Sequence, residues 1–150
     1  MKKTLLFLLT FSFFATLQAQ ENPNLTFNHL ALSVKSLDES ATFYKQVLGL
    51  PEITNKTKME GVRWFSLNEG KELHLISFLK EPVIINKAVH LALTTSNFEA
   101  FVKSLEAKKI SYSDWPGIPN KINIRADGIK QIFFQDPNGY WIEINSVIQK

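Results

Sequence analysis

His29-Leu30-Ala31-Leu32 returns as His90-Leu91-Ala92-Leu93, and this repeat decides the fold. The first copy alternates as a strand does: Leu30, Leu32 and Val34 point one way, His29, Ala31 and Ser33 the other. A second correspondence lies further along. Trp64-Phe65…Gly70…His74 can be laid over Phe133-Phe134…Gly139…Glu143 at one constant offset. The chain is therefore a doubled module. One copy carries His29 and His74, the other His90 and Glu143. These are four side chains of metal-binding type at corresponding strand positions.

Working outward, Ser36 with Glu39 three residues on forms a capping-box pattern. Leu37, Ala41, Tyr44 and Leu48 share the face of the helix that follows, and Gly49 ends it. Residues 62–67 and 72–78 read as a hairpin around Asn68-Glu69-Gly70-Lys71. Residues 80–86, with Pro82, read as a linker. The order then repeats: a strand over 89–94, a helix capped by Ser96 and reaching about Lys108, and a short strand over 111–115. A loop over 116–128 follows, then a hairpin of 130–135 and 140–147 around Asp136-Pro137-Asn138-Gly139. The fold class is α+β: two paired βαβββ modules, over about 27–79 and 88–148, curving as a sheet around a cleft.

Residues 1–19 read as a signal peptide, with basic Met1-Lys2-Lys3, an apolar run, and a cleavage signal at Leu17-Gln18-Ala19. The expectation is a secreted or periplasmic domain of residues 20–150 with no membrane association once the signal is removed. Loss of Lys2 and Lys3 takes the 17 basic residues to 15, against 14 acidic ones. Nothing in that balance calls for nucleic acid. There is no cysteine, so no disulfide.

Asn28-His29-Leu30-Ala31-Leu32, Phe43-Tyr44…Leu48-Gly49-Leu50 and Phe134…Asp136-Pro137-Asn138-Gly139…Ile142-Glu143 together resemble the vicinal oxygen chelate superfamily. That group includes glyoxalase I, fosfomycin-resistance proteins, extradiol dioxygenases, methylmalonyl-CoA epimerase and bleomycin-resistance proteins. The resemblance covers essentially all the mature chain and implies the same paired βαβββ fold. It implies a metal held by His29, His74, His90 and Glu143, with Glu143 also able to move a proton as the catalytic group. The second position is usually Glu in glyoxalase I and is His74 here. Both intrachain and domain-swapped dimeric pairing of modules occur in the family, so a homodimer stays open.

Three imidazoles and a carboxylate suit one divalent transition metal: Zn, Ni, Co, Fe or Mn. Without His74, the set His29, His90 and Glu143 is a two-His-one-carboxylate triad suited to Fe(II) and oxygen chemistry. Without a metal, His74 and Glu143 would be hydrogen-bond partners of each other across the modules. A four-residue turn at 68–71 would pair Leu67 with Glu72 and set Phe65 opposite His74, turning Arg63 and Phe65 into the cleft. The same reasoning sets Phe134 beside Glu143. Arg63 would then anchor a carboxylate or phosphate; a slip of one residue would reverse this. Arg125 and Trp115, in the loop, are further substrate-contact candidates. The function expected is a metal-dependent lyase or isomerase of glyoxalase type acting on a small hydroxycarbonyl-like molecule by Lewis-acid catalysis. The alternatives are an extradiol-type dioxygenase and a non-catalytic drug- or metabolite-binding protein.

Overall fold

The computed structural model describes residues 24–79 and 81–147. The first module runs β1 (His29–Ser33), α1 (Leu37–Gln46), β2 (Glu52–Ile53), β3 (Val62–Ser66) and β4 (Glu72–Ile76). The second repeats this order as β5 (His90–Thr94), α2 (Phe98–Ala107), β6 (Asn123–Ile124), β7 (Lys130–Gln135) and β8 (Trp141–Asn145). Each module is a four-stranded sheet, in orders β1-β4-β3-β2 and β5-β8-β7-β6. The helix crossover makes β1 parallel to β4 and β5 parallel to β8, while the hairpin pairs are antiparallel. This is the expected architecture of βαβββ modules. The expected signal peptide lies outside the described residues. Among the described residues no helix is long and apolar enough to cross a membrane.

Local chemistry sets the element ends. Ser36 is extended and its side chain accepts from the Glu39 amide, opening α1. Ser96 does not play that part for α2. The helix starts one residue later, with Asn97 at the N-cap and no side-chain cap bond, and the Asn97 amide itself donates to Thr95 Oγ1 in a turn before the helix. The strand expected over 111–115 shrinks to isolated bridges of Ser113 to Pro119 and Phe133. Asp114 bends the chain there by accepting from the amides of Gly117 and Ile118. The segment expected to be loop contains β6 instead.

Both hairpins close through three residues, not four. Leu67 and Lys71 pair across Asn68-Glu69-Gly70, and Asp136 and Tyr140 pair across Pro137-Asn138-Gly139. Gly70 and Gly139 end the two turns at φ +73 and +88, left-handed values that glycine adopts without strain. One residue fewer in each turn shifts both registers. Trp64 faces His74 and Phe65 faces Leu73; Phe133 faces Glu143 and Phe134 faces Ile142. With a side-chain period of two, the slip exchanges the faces.

Three expected substrate contacts are thereby corrected. Phe65 and Phe134 lie fully buried on the helix side of their sheets. Arg63, on that same face, is bound by Glu52 through Nε at 2.7 Å and by Asp38 through Nη1 at 2.9 Å. Bonding to Glu52, outweighing desolvation, holds the guanidinium above its ordinary pKa. It is a partnered surface cation, not an anchor in the cleft.

The helix-side faces of both modules share one core. Leu32, Tyr44, Phe65, Leu73 and Leu75 join Phe98, Val102, Leu105, Ile132, Phe134 and Ile142 in a single buried cluster. Phe134 packs on Phe43 and Phe101, so α1 and α2 both meet β7. A polar clasp sits beside this seam. Tyr44 donates to Asp136 Oδ2 at 3.0 Å, and Asp136 Oδ1 accepts the amides of Asn138 and Tyr140. Asn138 reaches Ser40 Oγ and takes the Lys35 amide, and Tyr140 donates to the Ser33 carbonyl. With the helix-side faces joined, the faces bearing His29, His74, His90 and Glu143 lie outside the common core.

Candidate functional site

The first half-site is built on β1, β4 and β3. His29 and His74 stack with ring centroids 4.4 Å apart, and Trp64 stacks on the other side of His74 at 4.1 Å. The sequence puts them there because His29, His74 and Trp64 fall on one pleat face of three adjacent strands. His74 Nε2 lies 2.8 Å from Glu72 Oε2, and His29 Nδ1 lies 2.7 Å from Asn28 Oδ1. Trp64 Nε1 is buried without a hydrogen-bond partner among the described residues. An orphaned donor of this kind costs about 1–3 kcal/mol, so it marks a place where a partner or ligand oxygen is wanted.

The second half-site is built on β5, β8 and β7. His90 Nε2 faces Glu143 Oε2 at 3.3 Å, and Glu143 Oε1 accepts from Asn145 Nδ2 at 2.8 Å. The Phe133 ring meets His90 edge-on at 5.7 Å, and Trp115 does so at 6.2 Å. Trp115 therefore belongs to this half-site. Arg125 pairs with Asp127 at 2.6 Å in the exposed turn before β7, and among the described residues that carboxylate, not one of the four candidate ligands, is its side-chain partner.

His90 Nδ1 lies 2.9 Å from the Lys87 carbonyl oxygen. A carbonyl only accepts, so Nδ1 carries the proton. In the neutral ring Nε2 then turns a lone pair toward the Glu143 carboxylate. Two acceptors so placed call for a proton or a cation between them. The same pattern runs through all three histidines: one ring nitrogen is engaged by an oxygen of Asn28, Glu72 or Lys87. Metal-ligating histidines are ordinarily held in this way by a second partner.

The four residues fit a divalent metal by kind and by second partner, but this chain brings them together only two at a time. His29 meets His74, and His90 meets Glu143. Among the described residues no three His, Cys, Asp or Glu side chains are grouped to hold one ion. The cause is topological. β1 and β5 are edge strands of separate sheets, and the modules join through their opposite faces. His74 and Glu143 are also not each other's partners; Glu72 serves the first, and His90 and Asn145 serve the second.

Sequence reasoning missed Glu72, Trp64, Phe133 and Lys87. The constant offset between Trp64…His74 and Phe133…Glu143 was the available signal for Trp64 and Phe133, since it holds whatever the turn length. Lys87 lies in the linker just before β5, where no periodic pattern marks it. A groove of about 610 Å³ runs along β5, lined by Phe27, Leu48, Leu67, Leu91 and Phe101 among others. It contains none of the four candidate ligands; its lining is mixed, with Asn68, Glu69, Lys71, Thr94, Thr95 and Asn145 beside the apolar residues.

The profile of the Glyoxalase/Bleomycin resistance protein/Dioxygenase superfamily matches residues 26–144. Glyoxylase I 4 of Arabidopsis thaliana is 28% identical over 123 residues, covering 78% of this chain and 68% of that protein. Lactoylglutathione lyase of Schizosaccharomyces pombe is 27% identical over 153 residues, covering 79% of this chain but 46% of that protein. The crystal structure of a glyoxalase/dioxygenase from Nostoc punctiforme superposes with TM-score 0.67 at 25% identity, covering 89% of this chain and 100% of that one. Profile match and paired βαβββ fold agree, and the chain belongs to the Glyoxalase/Bleomycin resistance protein/Dioxygenase superfamily.

Proposed function

We propose that this protein is a metal-dependent lyase or isomerase of glyoxalase type, acting on a small hydroxycarbonyl-like substrate, with its site completed between two chains. His29 and His74 of one protomer would meet His90 and Glu143 of its partner. The observation that carries the reading is the second partner held by each histidine, together with His90 Nε2 facing Glu143 Oε2 at 3.3 Å. Dimer formation supplies what one chain lacks, because both half-sites begin on open edge strands.

His29, His74, His90 and Glu143 would hold a divalent metal, which would supply Lewis acidity toward a substrate carbonyl. The chain's own part is to orient and to move a proton. Glu143 is the carboxylate placed to shuttle a proton between substrate carbons, with Asn145 holding its Oε1. Trp64, Trp115 and Phe133 would wall the substrate from water. Secretion, with removal of residues 1–19, completes the proposal and rests on the sequence pattern alone.

Elemental mass spectrometry of the purified dimer, beside His90→Ala, tests the reading. About one transition-metal equivalent per chain is expected, lost in the variant. Mixing His29→Ala with His90→Ala then tests the shared site. Random exchange leaves one intact site in each mixed dimer, so about a quarter of all sites should recover. No metal in the wild type after reconstitution, or no recovery on mixing, would overturn the metal reading or the shared site respectively.

A second reading has its own support. His74 is held flat between Trp64 and His29, with Nε2 engaged by Glu72. If it stays there, the remaining His29, His90 and Glu143 form the triad of an Fe(II) dioxygenase of extradiol type. Iron in the purified protein, and oxygen consumed with a catechol, would favour this reading over the lyase.

A further inference from the structure

We infer that Lys87 is the positioning residue of the second half-site. This rests on the metal-site reading above and deepens it. The residue acts at both of its ends. Its carbonyl takes the Nδ1 proton of His90 at 2.9 Å and so leaves Nε2 as the nitrogen that faces Glu143. Its ammonium sits among three rings, 4.8 Å from the centroids of Phe133 and Trp141 and 5.8 Å from Trp115.

Three oxygens complete its contacts. Nζ donates to Ser113 Oγ at 3.1 Å, to the Asp114 carbonyl at 2.5 Å and to the Trp115 carbonyl at 3.0 Å. An ammonium has three protons, and all three are spent on these acceptors. Lys87 therefore has no donor left for a substrate, and it does not act by touching one. What it does is tie three segments together: the linker that carries it, the Ser113–Trp115 corner, and the aromatic floor of β7 and β8. Trp115 and Phe133 are the same rings that flank His90. Fixing the ammonium thus fixes both the backbone oxygen that selects the His90 tautomer and the ring that walls the His90 side of the site. An arginine or methionine could fill the space, but neither reproduces three donors on one point charge.

The first half-site has no such tether. His29 receives its second partner from the adjacent side chain Asn28, and His74 from Glu72 two residues away on the same strand. Only His90 depends on a linker backbone, and that linker is held down by Lys87.

The test is nitrogen-15 NMR of the histidine rings in the metal-free full-length protein, compared between wild type and Lys87→Met. At a pH alkaline enough to keep the imidazoles neutral, wild type should show His90 as a single Nδ1–H tautomer. Lys87→Met should show both tautomers in exchange and bind the reconstituting metal at least tenfold more weakly, in the range expected for a lost second partner. His29 and His74 should be unchanged in the same spectra, which a general loss of fold would not allow. Lys87→Gln, neutral but still a donor, is the second variant if the methionine form fails to fold, and it should show the same mixture. A single Nδ1–H tautomer in either folded variant would overturn the proposal. A wild type that binds no metal, with the His90 tautomer still responding to Lys87, would sink the metal reading and leave the positioning role standing.

Discussion

The two modules share a backbone and differ in the side chains at equivalent places. His74 in the first is Glu143 in the second; Trp64 is Phe133; Tyr44 is Leu105; Leu67 is Asp136. The first module thus offers two imidazoles in an aromatic stack, while the second offers an imidazole facing a carboxylate. The seam is equally uneven. Tyr44 and Asp136 form a buried hydrogen bond, whereas their counterparts Leu105 and Leu67 are apolar members of the core. Duplication supplies the scaffold twice, and divergence at a few inward or seam positions makes the halves complementary instead of redundant.

That comparison can be broken at several points. The strongest test is of the faces. Phe65→Ala and Phe134→Ala should each cost about 3–5 kcal/mol of unfolding free energy in urea, because both rings are fully buried. A cost under about 1 kcal/mol for either would restore the four-residue turn and put that ring back in the cleft. Next is the clasp. Asp136→Ala leaves the Tyr44 hydroxyl and the Asn138 and Tyr140 amides without their acceptor, at about 2–3 kcal/mol. Asn68→Gly, in the equivalent turn of the first module, should cost under about 0.5 kcal/mol, because glycine accepts the φ of +68 held there. Equal losses would mean that the two turns do the same job.

Under the proposed metal site, retention of the ion should separate the half-sites. Glu143→Gln and His90→Ala should weaken it beyond the roughly 10–100-fold typical of losing a second partner, whereas Glu72→Gln should stay within that range. Equilibrium dialysis against a chelator measures all three, and an effect of Glu72→Gln as large as that of Glu143→Gln would make Glu72 a ligand.

The clasp also has a pH signature. Burial first, then Asp136, raises the Tyr44 hydroxyl above its ordinary value of 10.0. The unfolded chain then loses that proton before the folded one, so stability is complete below pH 10 and falls as pH rises beyond it. One such tyrosine contributes a slope of about 1.4 kcal/mol per pH unit. Tyr112 and Tyr140 are raised too, by burial foremost. Tyr44→Phe should therefore flatten the alkaline fall in melting temperature without abolishing it; an unchanged slope would mean that Tyr44 is not held as described.

The smallest effect belongs to Arg63. Arg63→Ala should cost at most about 1 kcal/mol, since Asp38 is almost fully exposed and Glu52 partly so. It should leave metal affinity and substrate binding as they were. A large rise in KM would return Arg63 to the cleft.

Repetition and alternation were legible without coordinates, and they determined a great deal. The doubled His-Leu-Ala-Leu string gave the module count, the strand that opens each module and the face on which the histidines stand. The offset from His74 to Glu143 paired the remaining candidates, because equivalent positions in a repeat are subject to the same backbone geometry. Turn length was decided by tertiary structure. Asn-Glu-Gly-Lys and Asp-Pro-Asn-Gly each contain four turn-forming residues, and nothing local says that Lys71 and Asp136 pair instead of turning. That single residue decided whether Phe65 or Trp64 faces His74. Module packing was decided there too. A strand pattern says which face is apolar, but not which module's apolar face it will bury against. Here the helix sides met each other, and the candidate ligands were left as two pairs on open-edged sheets. Lys87 shows the same limit most plainly: its partners Ser113, Asp114, Trp115, Phe133 and Trp141 lie far along the chain, and only folding brings them around one ammonium.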